Sequence, residues 1–265
     1  MKTLRKSKPP VLQDTLERLK RLYEGEGLEP GRVTRIAIKP QWNVLAGTGG
    51  QCGMALNFSG KHDIYGDFQG NLEDIKGLLG RSLLDVVEEN LTSPRIQQRS
   101  MAMAALSALS LPFLDPASLS RRGFFVQEGG FFPTSIIKDK DVVAVVGYGG
   151  IVEDMIGKCQ ELHITDMRPK EIFQSVIIGK TVDYGPKDIF IHSHEENKEV
   201  LGDAHVVVIT GSSLINDTFE ELAGLFGTGK GQGCLRPQCH VDSRCLFQPG
   251  NRFYFYSSNN GCHEV

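Results

Sequence analysis

Three short, uninterrupted apolar runs, Val142–Val146, Leu162–Thr165 and Val206–Thr210, constrain the fold most. Continuous rather than alternating hydrophobicity over so few residues marks strands covered on both faces, the habit of parallel sheets. Segments of helical character follow them: Ile151–Lys158, Pro169–Gln174 and Asp217–Leu225. This βα alternation predicts a Rossmann-like α/β sheet with helices on its faces. No run approaches the roughly 20 residues that a membrane-spanning helix requires, so no membrane role is expected.

The first half reads differently. Leu12, Leu16, Leu19, Leu22 and Tyr23 recur at helical spacing, with Asp14, Glu17, Arg18 and Lys20 between them and Gly25 and Gly27 as an exit. Val33, Ile36 and Ile38, then Val44 and Leu45, then Met54–Phe58 read as strands of a small meander, punctuated by Pro40 and the Gly47–Gly50 cluster. Ser82 suits the N-cap of a helix over Leu83–Asn90. Ser93 and Pro94 supply a cap and an N1 proline for one running to about Leu111, with an Ala-rich stretch suited to close packing. The interval Pro112–Asp141 is irregular and reads as a connector that Phe124, Phe125, Phe131 and Phe132 pack against the domains. The expected organisation is a small α+β domain over 10–112, a connector over 113–140, a parallel α/β domain over 141–226 and a divergent, disordered tail over 227–265.

The charge balance is nearly even, 29 Lys+Arg against 32 Asp+Glu for a formal net charge of -3. No broad cationic field results, so no nucleic-acid partner is expected. The basic N-terminus runs into Pro9 and Pro10 with no apolar core of a signal peptide behind it, which predicts a cytosolic (cytoplasmic) address. Six cysteines are too few for a disulfide scaffold; Cys52 and Cys159 lie in the body, whereas Cys234, Cys239, Cys245 and Cys262 lie in the tail. With His240 and His263 the tail cysteines offer zinc-ligand types but no paired CxxC.

In parallel α/β sheets the ligand sits beyond the carboxyl ends of the strands. After the first run come Gly147, Tyr148 and Gly149, whose glycines permit close backbone approach ahead of a helix. Val152 stands where the third glycine of a dinucleotide fingerprint belongs, so the loop is equally a tight turn. The second run ends at Asp166, about where such folds place a ribose-binding carboxylate. The third ends in Gly211, Ser212, Ser213, Asn216 and Thr218, a crowd of hydroxyls and an amide suited to an anion or to helix capping. His192 and His194 share a face if extended, with Glu195 and Glu196 beside them, and are the metal-ligand candidates; His163 reads as a satisfied core residue. No Walker loop, nucleophile elbow or HExxH occurs.

Val145–Tyr148 opening a βα unit, and above all Ala204–Thr218, resemble the Rossmann-like domain of the putative heavy-metal chelation family. The opening helix, the meander and Leu79–Ser82 are similar to the enolase N-terminal-like domain that precedes it there. The resemblance spans roughly Leu12 to Leu225; Gly149–Gly150 departs from a bulkier, Pro-containing pattern, and Gly227–Val265 does not continue it, so the second domain is expected to be incomplete at its C-terminus. It implies a site between the two domains that handles a divalent or heavy-metal ion or a metal chelate. Gly147, Tyr148, Gly211, Ser212, Asn216 and Thr218 carry over as site residues.

The leading expectation is therefore a protein that binds a metal-associated small anion, catalysis and homo-oligomerisation being left open. The alternative is a Rossmann enzyme with a nucleotide-type cofactor, Asp166 on the ribose and Tyr148 near the reacting group. A third reading is a ligand-free interaction module whose loops are only turns and caps.

Overall fold

The computed structural model describes residues 11–58, 75–122, 137–149, 151–173, 189–226, 232–236 and 253–255. The first unit begins with helix α1 (Val11–Glu26), which buries Leu16, Leu19 and Tyr23. Strands β1 (Val33–Ile38), β2 (Trp42–Gly47) and β3 (Cys52–Leu56) form the expected antiparallel meander, Ala37 opposite Val44 and Val44 opposite Met54. Helix α2 (Leu83–Asn90) is capped by Ser82, whose hydroxyl accepts from the Leu84 N–H.

Helix α3 (Ile96–Ser110) starts two residues later than the Ser93-Pro94 signal implied. The Ser93 hydroxyl accepts instead from the Arg95 N–H, and Arg95 is extended, so the serine caps the turn that leads into the helix. From Ser100 to Ser110 every residue of α3 is buried. Such a helix must be covered on all sides, and both units cover it. On one side Gly53 of β3 lets the strand reach the helix backbone: a β-carbon there would lie 2.0 Å from the Ala104 carbonyl oxygen. On another, the Arg99 Nε donates to the Ile215 carbonyl of the second unit at 2.8 Å. The expected connector also holds structure: a 3-10 turn at Leu111–Phe113 and helix α4 (Pro116–Arg121), capped by the Asp115 carboxylate. Asp115-Pro116 is a cap and an N1 proline, a helix signal passed over in the sequence. The paired phenylalanines lie outside the described residues.

The second unit is a parallel sheet in the order β6-β5-β4-β7-β8-β9. Its elements are β4 (Val142–Val146), α5 (Ile151–Met155), β5 (Glu161–Asp166), β6 (Ile189–Ser193), α6 (Asn197–Asp203), β7 (Val206–Thr210), α7 (Ser212–Ile215) and α8 (Phe219–Phe226). Two short strands in the tail stretch, β8 (Gln232–Arg236) and β9 (Phe253–Phe255), pair on beyond β7. The three apolar runs are β4, β5 and β7, side by side in the sheet. Val143, Val145, Leu162, Ile164, Val206 and Val208 pack with Val152 and Met155 on one face. Ala144, Val207 and Ile209 belong to the other face, where α6, α8 and the first unit join a single core through Leu201, Leu222 and Leu106. Burying both faces explains why these strands read as continuous rather than alternating. The helices after β4 and β5 are shorter than expected; Pro169–Gln174 is a 3-10 turn over Lys170–Phe173 where described. The third runs over Phe219–Phe226, starting two residues later than expected, and Asp217, with a φ of 65°, separates it from the additional short α7.

Candidate functional site

The carboxyl ends of β4, β5 and β7 lie together because the sheet is parallel and these strands are neighbours. Gly147 ends β4 with a φ of 87°, and a β-carbon there would stand 2.8 Å from Thr210 Cγ2 at the end of β7. Only glycine accepts both that conformation and that approach. Its N–H donates to the Thr165 carbonyl of β5 at 2.8 Å, so one residue is in touch with both flanking strands.

Asp166 organises the second loop. Its Oδ2 accepts from the Tyr148 N–H at 2.8 Å and from Arg168 Nη2 at 2.8 Å; its Oδ1 accepts from the Arg168 N–H at 2.8 Å and Nε at 3.0 Å. The same Nη2 donates to the Tyr148 carbonyl at 3.0 Å. Burial alone would raise the Asp166 carboxyl, but the Arg168 guanidinium and the two backbone N–H groups outweigh it and hold it below its ordinary value. Arg168 in turn lies 4.9 Å from the centre of the Phe173 ring, against which Tyr148 also packs. Four N–H donors saturate the two oxygens. Asp166 is thus an internal anchor of the loop, with both of its oxygens already engaged by protein donors.

In the third loop the sequence-predicted residues divide. Ser213 is buried and its hydroxyl donates to the Thr210 carbonyl at 2.7 Å, so it holds the turn. Gly211 is buried at the head of α7, a four-residue helix. The N–H groups of Leu214, Asn216 and Thr218 donate to the carbonyls of Gly211, Ser212 and Ser213, closing successive turns of the loop. What faces outward is side-chain chemistry. Ser212 shares a hydrogen bond with the Thr210 hydroxyl at 3.1 Å, and Thr218 donates to Asn216 Oδ1 at 2.8 Å. The Asn216 amide reaches Met167 Sδ at 3.7 Å, which ties the third loop to the second.

The loops thus close a triangle. Gly147 meets Thr210, Tyr148 meets Asp166 and Arg168, and Asn216 meets Met167. Gly149, whose carbonyl accepts from the Val152 N–H, continues the first side. Arg168 is the charged member that sequence reasoning missed; its signal was a basic residue two positions past the strand-ending aspartate.

The histidines are arranged otherwise than expected. His192 lies on β6, not in a loop, and Ser193 starts a 3-10 turn with a capping box, which carries His194 off the strand to an exposed position. The partner of His192 is His163 on β5, Nε2 to Nδ1 at 3.0 Å. His163 is a partly exposed side chain of the sheet rather than a core one. Among the described residues no group of three or more His, Cys, Asp or Glu converges as a metal cage. Cys239, His240, Cys245, Cys262 and His263 lie outside the described residues. No helix among the described residues is long and apolar enough to cross a membrane.

Two family models match the sequence, both described as putative heavy-metal chelation, one over residues 22–110 and the other over 132–230. Two solved structures share the fold. One is a protein with unknown function of the same family from Desulfitobacterium hafniense, 17% identical, with a TM-score of 0.58 over 88% of this chain and 82% of that one. The other, also with unknown function and of that family, is from Pyrococcus horikoshii, 15% identical, with a TM-score of 0.60 over 89% and 82%. No curated protein matches the chain.

Proposed function

Because the chain belongs to the putative heavy-metal chelation family, we propose that it binds a metal ion complexed to a small anion at the loop triangle. The single observation that supports this is the mutual closure of the three strand ends around Arg168. A guanidinium oriented by Asp166 and Phe173, its charge balanced by that carboxylate, presents planar N–H donors of the kind that suit a carboxylate or phosphate. Ser212, Asn216 and Thr218 offer hydroxyls and an amide from the facing side, and Gly147, Tyr148 and Gly149 keep the first loop low. The metal would arrive with the anion as cargo. The proposed setting is the cytosol. The rival reading, a nucleotide-dependent Rossmann enzyme, is weakened by the saturated carboxylate of Asp166.

Isothermal titration of the full chain with zinc(II)–citrate, citrate and inorganic phosphate tests the proposal. Loss of hydrogen bonds to a charged ligand costs about 1.5–3 kcal/mol each, so Ser212→Ala with Asn216→Ala should weaken the metal–citrate complex by about a hundredfold or more. Unchanged affinity in the folded double variant overturns the assignment.

A further inference from the structure

Arg168 carries more donors than its own loop uses. A guanidinium holds five N–H hydrogens in one rigid plane, one on Nε and two on each terminal nitrogen. Nε donates to Asp166 Oδ1 at 3.0 Å, and the two hydrogens of Nη2 go to Asp166 Oδ2 at 2.8 Å and to the Tyr148 carbonyl at 3.0 Å. Three of the five are thereby committed. The other two are both on Nη1, which meets no acceptor among the described residues.

The surroundings fix where that nitrogen stands. Asp166 grips the Nε–Nη2 edge and so stops rotation within the plane, while the buried Phe173 ring, 4.9 Å from the guanidinium carbon, covers one face. Tyr148 packs on the same ring at 5.0 Å between centroids, so the loop after β4 braces the support from its far side. The Arg168 side chain is 33% exposed against 7% for Asp166, so the end turned away from the carboxylate is the end a ligand can reach. That end is Nη1.

The geometry of two hydrogens on one nitrogen restricts what can satisfy both. Two N–H bonds on a planar nitrogen diverge by about 120°, and with N···O at about 2.9 Å their acceptors stand about 5 Å apart. The two oxygens of a single carboxylate, on C–O bonds of about 1.2 Å, are only about 2.2 Å apart. Phosphate and sulfate oxygens share one centre too, and lie too close together for the same reason. Building on the loop triangle as the anion site, we propose that Arg168 Nη1 selects a polycarboxylate chelator, taking one oxygen from each of two carboxylates carried on different carbons. Because Asp166 already balances the guanidinium charge, the selection is by donor direction rather than by ligand charge. Arginine is required for it: one nitrogen must stay on Asp166 while another reads the ligand, and lysine has only one.

The test is calorimetric titration of the full chain with citrate, succinate and sulfate at pH 7.5, where succinate and sulfate are both dianions. Citrate and succinate should each bind at least about tenfold more tightly than sulfate, the worth of one further hydrogen bond to a charged group. Arg168→Lys, which keeps the positive charge, should erase that preference. Sulfate binding as tightly as succinate in the wild type, with both weakened by Ser212→Ala with Asn216→Ala, overturns the proposal and leaves the loop triangle as a general anion site. A preference retained in folded Arg168→Lys overturns it by placing the selection elsewhere. Binding of none of the three anions overturns it as well, and zinc(II)–citrate then shows whether the loop-triangle reading falls with it.

Discussion

Gly147 and Thr210 stand so close that a single added β-carbon on the glycine would lie 2.8 Å from the threonine methyl. The two residues end neighbouring strands of the parallel sheet, β4 and β7, and their contact sets how tightly the first and third loops are drawn together. The glycine also carries a φ of 87°, so shape and backbone act at the same position.

Gly147→Ala should destabilise the protein by about 1–3 kcal/mol, through strain in the left-handed region and the clash with Thr210. Adding Thr210→Ser removes the nearest atom and leaves Thr210 Cβ at 3.3 Å, so it should recover part of that loss while the backbone strain remains. Urea unfolding of the single and double variants measures both quantities. Additive losses would show that the contact is not what restricts the site.

Asp166 gives a pH dependence with a definite sign. Its folded carboxyl titrates below the ordinary value of 3.8, so its stabilisation is present above 3.8 and is lost as pH falls through the lower, folded value. Asp166→Asn should be less stable than the wild type at neutral pH, and the gap should close on acidification below about pH 4. Urea midpoints across pH 2–7 measure it; a gap independent of pH would mean that the carboxylate charge is not what holds Arg168.

Arg99 joins the two units through the Ile215 carbonyl at 2.8 Å, while its Nη1 donates to the Ser93 carbonyl at 3.1 Å. Arg99→Met retains the aliphatic stem and removes both bonds, at a cost of about 1–3 kcal/mol. Because Ile215 belongs to the α7 turn, metal–citrate affinity should fall in the same variant. A stability loss with intact affinity would show that α3 supports the fold without supporting the third loop.

Cys159 illustrates how burial sets reactivity. Desolvation, with a smaller contribution from Asp141, pushes its thiol up to about 11 from 9.0. At pH 8 its thiolate fraction is on the order of 100-fold below that of an ordinary thiol. Iodoacetamide labelling followed by peptide mass spectrometry should find Cys159 slow in native protein and fast in urea. Rapid native labelling would contradict the packing around Met155, whose carbonyl the thiol meets at 3.8 Å.

The parallel sheet was legible because strands buried on both faces must be apolar throughout, and Val142–Val146, Leu162–Thr165 and Val206–Thr210 are. Strand β6 was not legible: Ile189–Ser193 joins the sheet through backbone pairing with β5, and its polar end reads as loop. Gly147 and the Ser212–Thr218 loop stood out as chain ends after apolar runs. The partners of Asp166 did not, since nothing in Asp166-Met167-Arg168 says that the arginine folds back onto the aspartate. His163 and His192 are 29 positions apart and meet only through the register of β5 on β6, information that no local pattern carries.

The central claim is that the loop triangle holds a metal bound to a small anion. Native mass spectrometry with elemental analysis, on protein purified without metal-affinity resin or chelator, measures this directly. The account expects the wild type to carry a metal together with an organic or phosphate anion, and Ser212→Ala with Asn216→Ala to lose the pair. Bare polypeptide in both proteins, or a nucleotide without metal in the wild type, would contradict it.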